Sequence, residues 1–276
     1  MHLVIQSAAL AEDDVRELAQ LAHARRVERL GPGACRLIDA EQRAGIAEYC
    51  ARNELDFGFV PETQTLAGMR LLAIDMDSTL ITIECIDEIA DMAGVKAEVS
   101  AITAAAMSGA IDYAESLRQR VGLLRGLNEE ALARVYDERL RLSPGAAAML
   151  AAMQRAGVKT LLVSGGFSFF TERLQARLGF DYGIANVIEI EDGRLSGRVI
   201  GNIVDAAAKA AKLRAIRDQL GIARDRIIAI GDGANDLAML AEAGVSIAYH
   251  AKPVVRSKAG YALDYVGLDG VLNLFA

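Results

Sequence analysis

Histidine and cysteine are scarce in this 276-residue chain, with three of each. Cys35, Cys50 and Cys85 stand far apart without metal-ligand spacing, so they read as reduced packing residues of a cytoplasmic protein. His2, His23 and His250 lack the acid-flanked i, i+4 arrangement of a metalloprotease helix, and no catalytic histidine is expected. No apolar run reaches the ~18 residues that a membrane span requires. The chain turns acidic early, at Glu12, Asp13 and Asp14, unlike a signal peptide. Surplus positive charge is missing too. Against 37 acidic residues stand 30 lysines and arginines, a formal net charge of −7 that argues against a nucleic-acid partner. A small anion is not excluded, because its binding follows the local field. Apolar residues are abundant, at 53%, enough for the core of one large or two modest domains.

The most informative stretch is LLAIDMDSTL, residues 71–80. Leu71 to Ile74 form a continuous apolar run, which suits a strand buried on both faces of a parallel sheet. Asp75 and Asp77 follow at its C-terminal end, where open α/β sheets place their ligand sites. If the extended conformation persists, the two acids project from the same side. Neither can enter an apolar interior without a cation or a proton as compensation, and a divalent metal answers that need. The alternative is that they cap a turn, where Asp before Ser or Thr is common.

Three further segments strengthen the first reading. In KTLLVSGGFSFF, residues 159–170, a strand from Thr160 to Val163 runs into Ser164, Gly165 and Gly166 before a helix begins near Ser168. That order brings backbone N–H groups and one hydroxyl against a phosphate. In RIIAIGDGANDLAML, residues 226–240, a strand from Ile227 to Ile230 ends in Gly231, Asp232, Gly233, Asn235 and Asp236. Between them lie Lys209 and Lys212 on a helix, either of which could reach the same crevice as a fixed positive charge.

In this order and spacing the pieces resemble the haloacid dehalogenase superfamily of phosphohydrolases. DMDSTLITIECIDEIA, SLRQRV, SGGFSFF, GDGANDLAML and IAYHAKP look like its branch that acts on phosphoserine, over roughly residues 70 to 276. The resemblance implies hydrolysis of O-phosphoserine to serine and phosphate, the last step of serine biosynthesis, through an aspartyl phosphate and with Mg²⁺. By it, Asp75 is the nucleophile and Asp77 the general acid/base. Mg²⁺ is held by the Asp75 carboxylate, the Asp77 main-chain carbonyl and Asp232, with Asp236 in support. Ser164, Gly165 and Lys209 hold phosphoryl oxygens, and Lys209 is preferred to Lys212 because it stands four residues before Leu213. Asn235 orients the cluster, while Glu84 and Arg120 take the ammonium and carboxylate of the substrate.

The chemistry fits those residue types. A phosphate dianion repels an anionic nucleophile, so positive charge is needed at the site. Phosphoserine carries an ammonium and a carboxylate beside its phosphate, which call for one acid and one bidentate cation. Glu84 stands among apolar neighbours and is a poor candidate for a solvated charge, whereas Arg120, with Arg118 and Arg125 nearby, is singled out only by the resemblance. Transfer through phosphohistidine is disfavoured. A phosphotransferase passing the group to another small alcohol such as homoserine shares the same acids. A non-catalytic amino-acid sensor is the reading of another class.

The expected fold is α/β, a doubly wound, mainly parallel sheet of the Rossmann-like kind with an inserted helical cap and a small N-terminal α/β domain. Residues 1–65 form that module, with strands at Leu3–Ile5, Cys35–Ile38 and Phe57–Val60, helices near Val15–Leu21 and Gln42–Tyr49, and no clear fourth strand. It has a faint likeness to regulatory domains of the ACT type. Residues 61–70 read as a linker and 66–276 as the phosphatase domain, with the cap at about 82–140. Strands at 71–74, 160–163, 227–230 and 245–249 alternate with helices, one of them bounded by Ser143, Pro144 and Gly157. Residues 187–201, with Asp192-Gly193 at their centre, read as a hairpin appended to the sheet. The expected partner is a small-molecule substrate, with no nucleic acid and no membrane; a homodimer is left open.

Overall fold

The computed structural model describes residues 1–107 and 109–275. Its first six elements are β1 (His2–Gln6), α1 (Glu12–Leu21), β2 (Arg26–Gly31), β3 (Ala34–Ile38), α2 (Ile46–Arg52) and β4 (Asp56–Val60). They form an antiparallel sheet of order β2-β3-β1-β4, the split βαβ arrangement of ferredoxin-like folds. Alternation along β1 explains its placement. Leu3 and Ile5 pack with Val15, Leu18, Ile46 and Cys50 of the two helices, while Val4 turns the other way and joins the core of the rest of the chain.

Two expectations need correction here. A fourth strand exists: β2, whose RVERLG sequence lies at the sheet edge with Arg26 and Val27 exposed, so burial imposes no apolar pattern on it. The second helix starts at Ile46 rather than near Gln42, because Gly45 takes a left-handed φ of 79° just before it.

The following elements are β5 (Leu71–Asp75), α3 (Cys85–Ala93), α4 (Lys96–Met107), α5 (Tyr113–Leu123), α6 (Glu130–Arg134), α7 (Ala146–Arg155), β6 (Lys159–Phe167), α8 (Ser168–Leu178), β7 (Tyr182–Glu191) and β8 (Arg194–Ile200). The chain closes with α9 (Ala206–Leu220), β9 (Ile227–Gly231), α10 (Leu237–Leu240), β10 (Val245–Tyr249), α11 (Pro253–Arg256) and β11 (Tyr261–Leu263). Seven strands form one sheet of order β11-β10-β9-β5-β6-β7-β8, parallel throughout except for the β7–β8 hairpin. The first strand of that hairpin begins at Tyr182, earlier than expected, and its start pairs with β6, so the hairpin continues the sheet.

Every residue of β5 is buried, as a central parallel strand requires. Leu72 and Ile74 face one core with Met149 and Phe170, whereas Leu71 and Ala73 face another with Leu213, Ile216 and Met239. Helices therefore cover both faces. The strand order places β5 between β9 and β6, so the C-terminal ends of these three strands open side by side. Between β5 and α7 the chain holds α3 to α6, of which α3, α4 and α5 line this opening. No helix among the described residues is long and apolar enough to cross a membrane.

Candidate active site

Asp75 is the last residue of β5, and Asp77 keeps extended angles (φ −69°, ψ 136°). Ser78, at φ 56°, then bends the chain back toward the opening. On the neighbouring strand, a Cβ at Gly231 would lie 2.6 Å from the side chain of Asp236, so a side chain there would push Asp236 out. Without one, Asp236 folds back beneath the strand end, fully buried.

The lysine comes from α9. Asp205 caps that helix by accepting the Ala208 N–H at 2.8 Å, which sets Lys209 in the first turn, facing inward. Its ammonium donates to Asp75 Oδ1 and, at 2.8 Å, to Asp236 Oδ1. All three side chains are buried. Asp236 Oδ2 accepts the Gly233 N–H at 3.1 Å, and Asp232 Oδ1 accepts the Thr79 hydroxyl at 2.9 Å. Lys212 lies partly exposed on the same helix.

Carboxylate oxygens of Asp75, Asp232 and Asp236 all lie within 4.8 Å of one another. Burial, and next the charge of Asp236, raises the pKa of Asp75 well above its ordinary value; the same two causes raise that of Asp232. Burial opposes the charge of Lys209, but Asp75 and Asp236 outweigh it and lift the pKa above the usual lysine value. One buried ammonium against three carboxylates leaves negative charge uncompensated. An all-oxygen donor set of this kind fits a hard divalent cation.

Asp77 joins three segments. Its Oδ1 accepts the Cys85 N–H at 2.8 Å, at the start of α3, and its Oδ2 accepts the Ser164 hydroxyl at 3.1 Å. Burial raises its pKa against these bonds. Ser164 Oγ in turn accepts the Gly166 N–H at 2.8 Å. The Gly165 carbonyl accepts from Tyr113 Oη at 2.9 Å and from Asn186 Nδ2 at 2.7 Å, so α5 and β7 both hold the turn that follows Ser164.

Above the acids lies a cavity of about 390 Å³, lined among others by Asp75, Asp77, Gly165, Asp232 and Asn235 from the strand ends and by Glu84, Tyr113 and Arg120 from the helices. Asp112 caps α5 by accepting the Glu115 N–H at 2.8 Å. Tyr113, Ser116, Leu117 and Arg120 then fall at i, i+3, i+4 and i+7, one face of the helix, and all four line the cavity. Glu84 was expected to avoid solvent, yet it is exposed at the cavity mouth, with Ser78 donating to its Oε1 at 2.6 Å. The protein around it, and then the charge of Asp77, raises its pKa.

All ten site residues singled out in the sequence thus meet in or beneath one cavity. Thr79, Tyr113 and Asn186 received no role from the sequence. Thr79 stands inside the first motif and could have been found there. The other two carry no local signal, because what they hold is the carbonyl of Gly165, 52 and 21 residues away.

The chain resembles known proteins along most of its length. A family model described as haloacid dehalogenase-like hydrolase matches residues 72–241, and another described only as a domain of unknown function matches residues 3–46. The chain is similar to a phosphoserine phosphatase of Polaromonas sp. (strain JS666), 56% identical over 214 residues, or 76% of this chain and 91% of that one. Among solved structures, a probable phosphoserine phosphatase from Vibrio cholerae in unliganded form superposes with a TM-score of 0.87 at 35% identity, over 99% of this chain and 85% of that one. A phospho-aspartyl intermediate analogue of phosphoserine phosphatase gives 0.71 at 37% identity, over 75% of this chain and 99% of that one.

Proposed function

The chain belongs to the haloacid dehalogenase-like hydrolase family, and from that membership and the cavity we infer that it hydrolyses O-phosphoserine to serine and phosphate, the last step of serine biosynthesis. It is an enzyme, a phosphoric monoester hydrolase, and a purely sensory role is set aside. One observation carries the mechanism: a buried lysine bridges Asp75 and Asp236 while Asp232 stands within reach of both.

We assign Mg²⁺ as the cation, held by the carboxylates of Asp75 and Asp232 and the Asp77 main-chain carbonyl with Asp236 in support, where it would neutralise the repulsion between a phosphate dianion and the nucleophile. Lys209 keeps a second positive charge fixed beside the Asp75 carboxylate. Ser164 and the Gly165 backbone hold the phosphoryl oxygens, and Asn235 orients the group. An Asp75 oxygen attacks phosphorus, the bond from phosphorus to the seryl oxygen breaks, and an aspartyl phosphate forms. Asp77, whose pKa burial raises, gives the departing seryl oxygen its proton. As a carboxylate it then takes a proton from the water that attacks the aspartyl phosphate, which releases phosphate and restores Asp75. Glu84 binds the ammonium of the substrate and Arg120 its carboxylate.

Residues 1–65 are proposed as a separate module, ACT-like in topology, and 66–276 as the phosphatase domain with its cap at about 82–140; the two sheets share no strand. A cytoplasmic location accords with Cys35, Cys50 and Cys85, all free and buried. The test is phosphate release across a panel of phosphorylated amino acids and sugars, with and without Mg²⁺. O-Phosphoserine should lead the panel, and chelation should abolish its turnover. Comparable rates on sugar phosphates would overturn the substrate assignment.

A further inference from the structure

One polar side chain in the cavity has no partner. Ser116 on α5 is wholly buried, lines the cavity, and its Oγ makes no hydrogen bond to any described residue. Folded proteins leave few buried hydroxyls in that state. A helical serine commonly turns its hydroxyl back to the carbonyl four residues earlier. Here that carbonyl, of Asp112, accepts the backbone N–H of Ser116 at 3.0 Å and not the hydroxyl. The hydroxyl is therefore free to bond whatever fills the cavity.

Arg120 shows what that is. Helical side chains lean toward the N-terminus, so a residue four positions on lies over the preceding turn. The Arg120 Nε accordingly donates to the Ser116 carbonyl at 3.3 Å, which sets the guanidinium beside Ser116. No described residue pairs with its Nη atoms, so both are available to a carboxylate. A carboxylate has about four lone-pair directions, of which a guanidinium fork occupies two. A hydroxyl alongside finds a third.

We propose that Ser116 is a specificity-determining residue whose Oγ–H donates to the carboxylate of the amino-acid phosphate held by Arg120. This rests on the phosphoserine reading and adds a second group that reads the carboxylate. Glu84, which reads the ammonium, reaches the cavity from the start of α3. The two ends of the amino acid are thus recognised from different helices.

The experiment compares kcat/KM of the wild type and Ser116→Ala, both with Mg²⁺, on O-phosphoserine and on O-phosphoethanolamine, which keeps the ammonium and phosphate but lacks the carboxylate. Alanine is one atom smaller and the strongest helix former, so α5 is retained, and a thermal melt checks it. The ratio of the two kcat/KM values should fall about 10- to 100-fold, mostly through a raised KM for phosphoserine. Equal losses on both substrates, as a purely structural role would give, or no loss, would overturn the proposal while leaving the phosphatase reading intact. A wild type inert toward phosphoserine would overturn both.

Discussion

Asp75 and Asp77 differ in what surrounds them, and that difference separates the roles proposed for them. Asp75 is bonded to the Lys209 ammonium, whereas Asp77 is bonded to a backbone N–H and a hydroxyl. Burial raises both pKa values. The ammonium bonded to Asp75 works against that rise and, together with a bound divalent cation, would favour the ionised form for attack, whereas Asp77, bonded to neutral donors, can carry a proton. Asp75→Asn keeps the shape and removes the nucleophile, so turnover should fall by more than about 10³-fold while the melting temperature changes little. Substantial residual phosphate release would remove Asp75 from that role. Arg120→Ala should lower kcat/KM for phosphoserine by about 10-fold or more relative to an ester without a carboxylate. Equal losses would place Arg120 elsewhere. The acids and Ser164 were legible in the sequence because each directly follows an apolar strand. Lys209 could not be told from Lys212 by local pattern alone, since what distinguishes them is which one the Asp205 cap turns inward.

Strands β5, β6, β9 and β10 were legible for a simple reason: they lie inside the central sheet, are mostly buried and so are nearly continuously apolar. The three-residue edge strand β11 gave no such run and was not foreseen. The edge strand β2 faces no such demand and left no pattern. Contacts between elements were the least legible. Asp181, just before β7, accepts from the Thr160 N–H at 2.9 Å, the Thr160 hydroxyl at 3.1 Å and Lys159 Nζ at 2.6 Å, and so ties β6 to β7. Burial opposes its charge, but Lys159 and Thr160 hold its pKa below the ordinary carboxylate value. A folded pKa below the unfolded one means that the stabilisation is complete above the unfolded value of about 3.9 and is lost as pH falls through the folded value. Asp181→Asn should therefore cost about 1–2 kcal/mol in urea unfolding at neutral pH, and the difference should shrink in strong acid. A cost independent of pH would contradict this account. Gly165 gives a second test. A Cβ there would lie 2.3 Å from the Tyr113 hydroxyl, so Gly165→Ala should impair turnover and Tyr113→Phe should restore part of it in the double variant.

The whole molecule is joined by a contact that no motif announces. Asp56, in β4 of the N-terminal sheet, accepts the backbone N–H groups of Asp264, Tyr265 and Val266 at 2.7, 2.9 and 3.1 Å, just after β11. Val4 and Val60 add apolar contact with the main core. Asp56→Ala leaves three donors without their acceptor and should lower stability by about 1–3 kcal/mol, with kcat on phosphoserine nearly unchanged because Asp56 lies outside the cavity. A matching loss of activity would show that the N-terminal sheet acts on the site.

The central claim is that Asp75 takes the phosphoryl group onto its own carboxylate, and rapid quenching of the enzyme with phosphate-labelled phosphoserine and Mg²⁺ tests it most directly. Label should appear on the peptide containing Asp75 before steady state, be released by hydroxylamine as an acyl phosphate is, and be absent from Asp75→Asn. Full turnover with no label on the protein, or label on another residue, would contradict it.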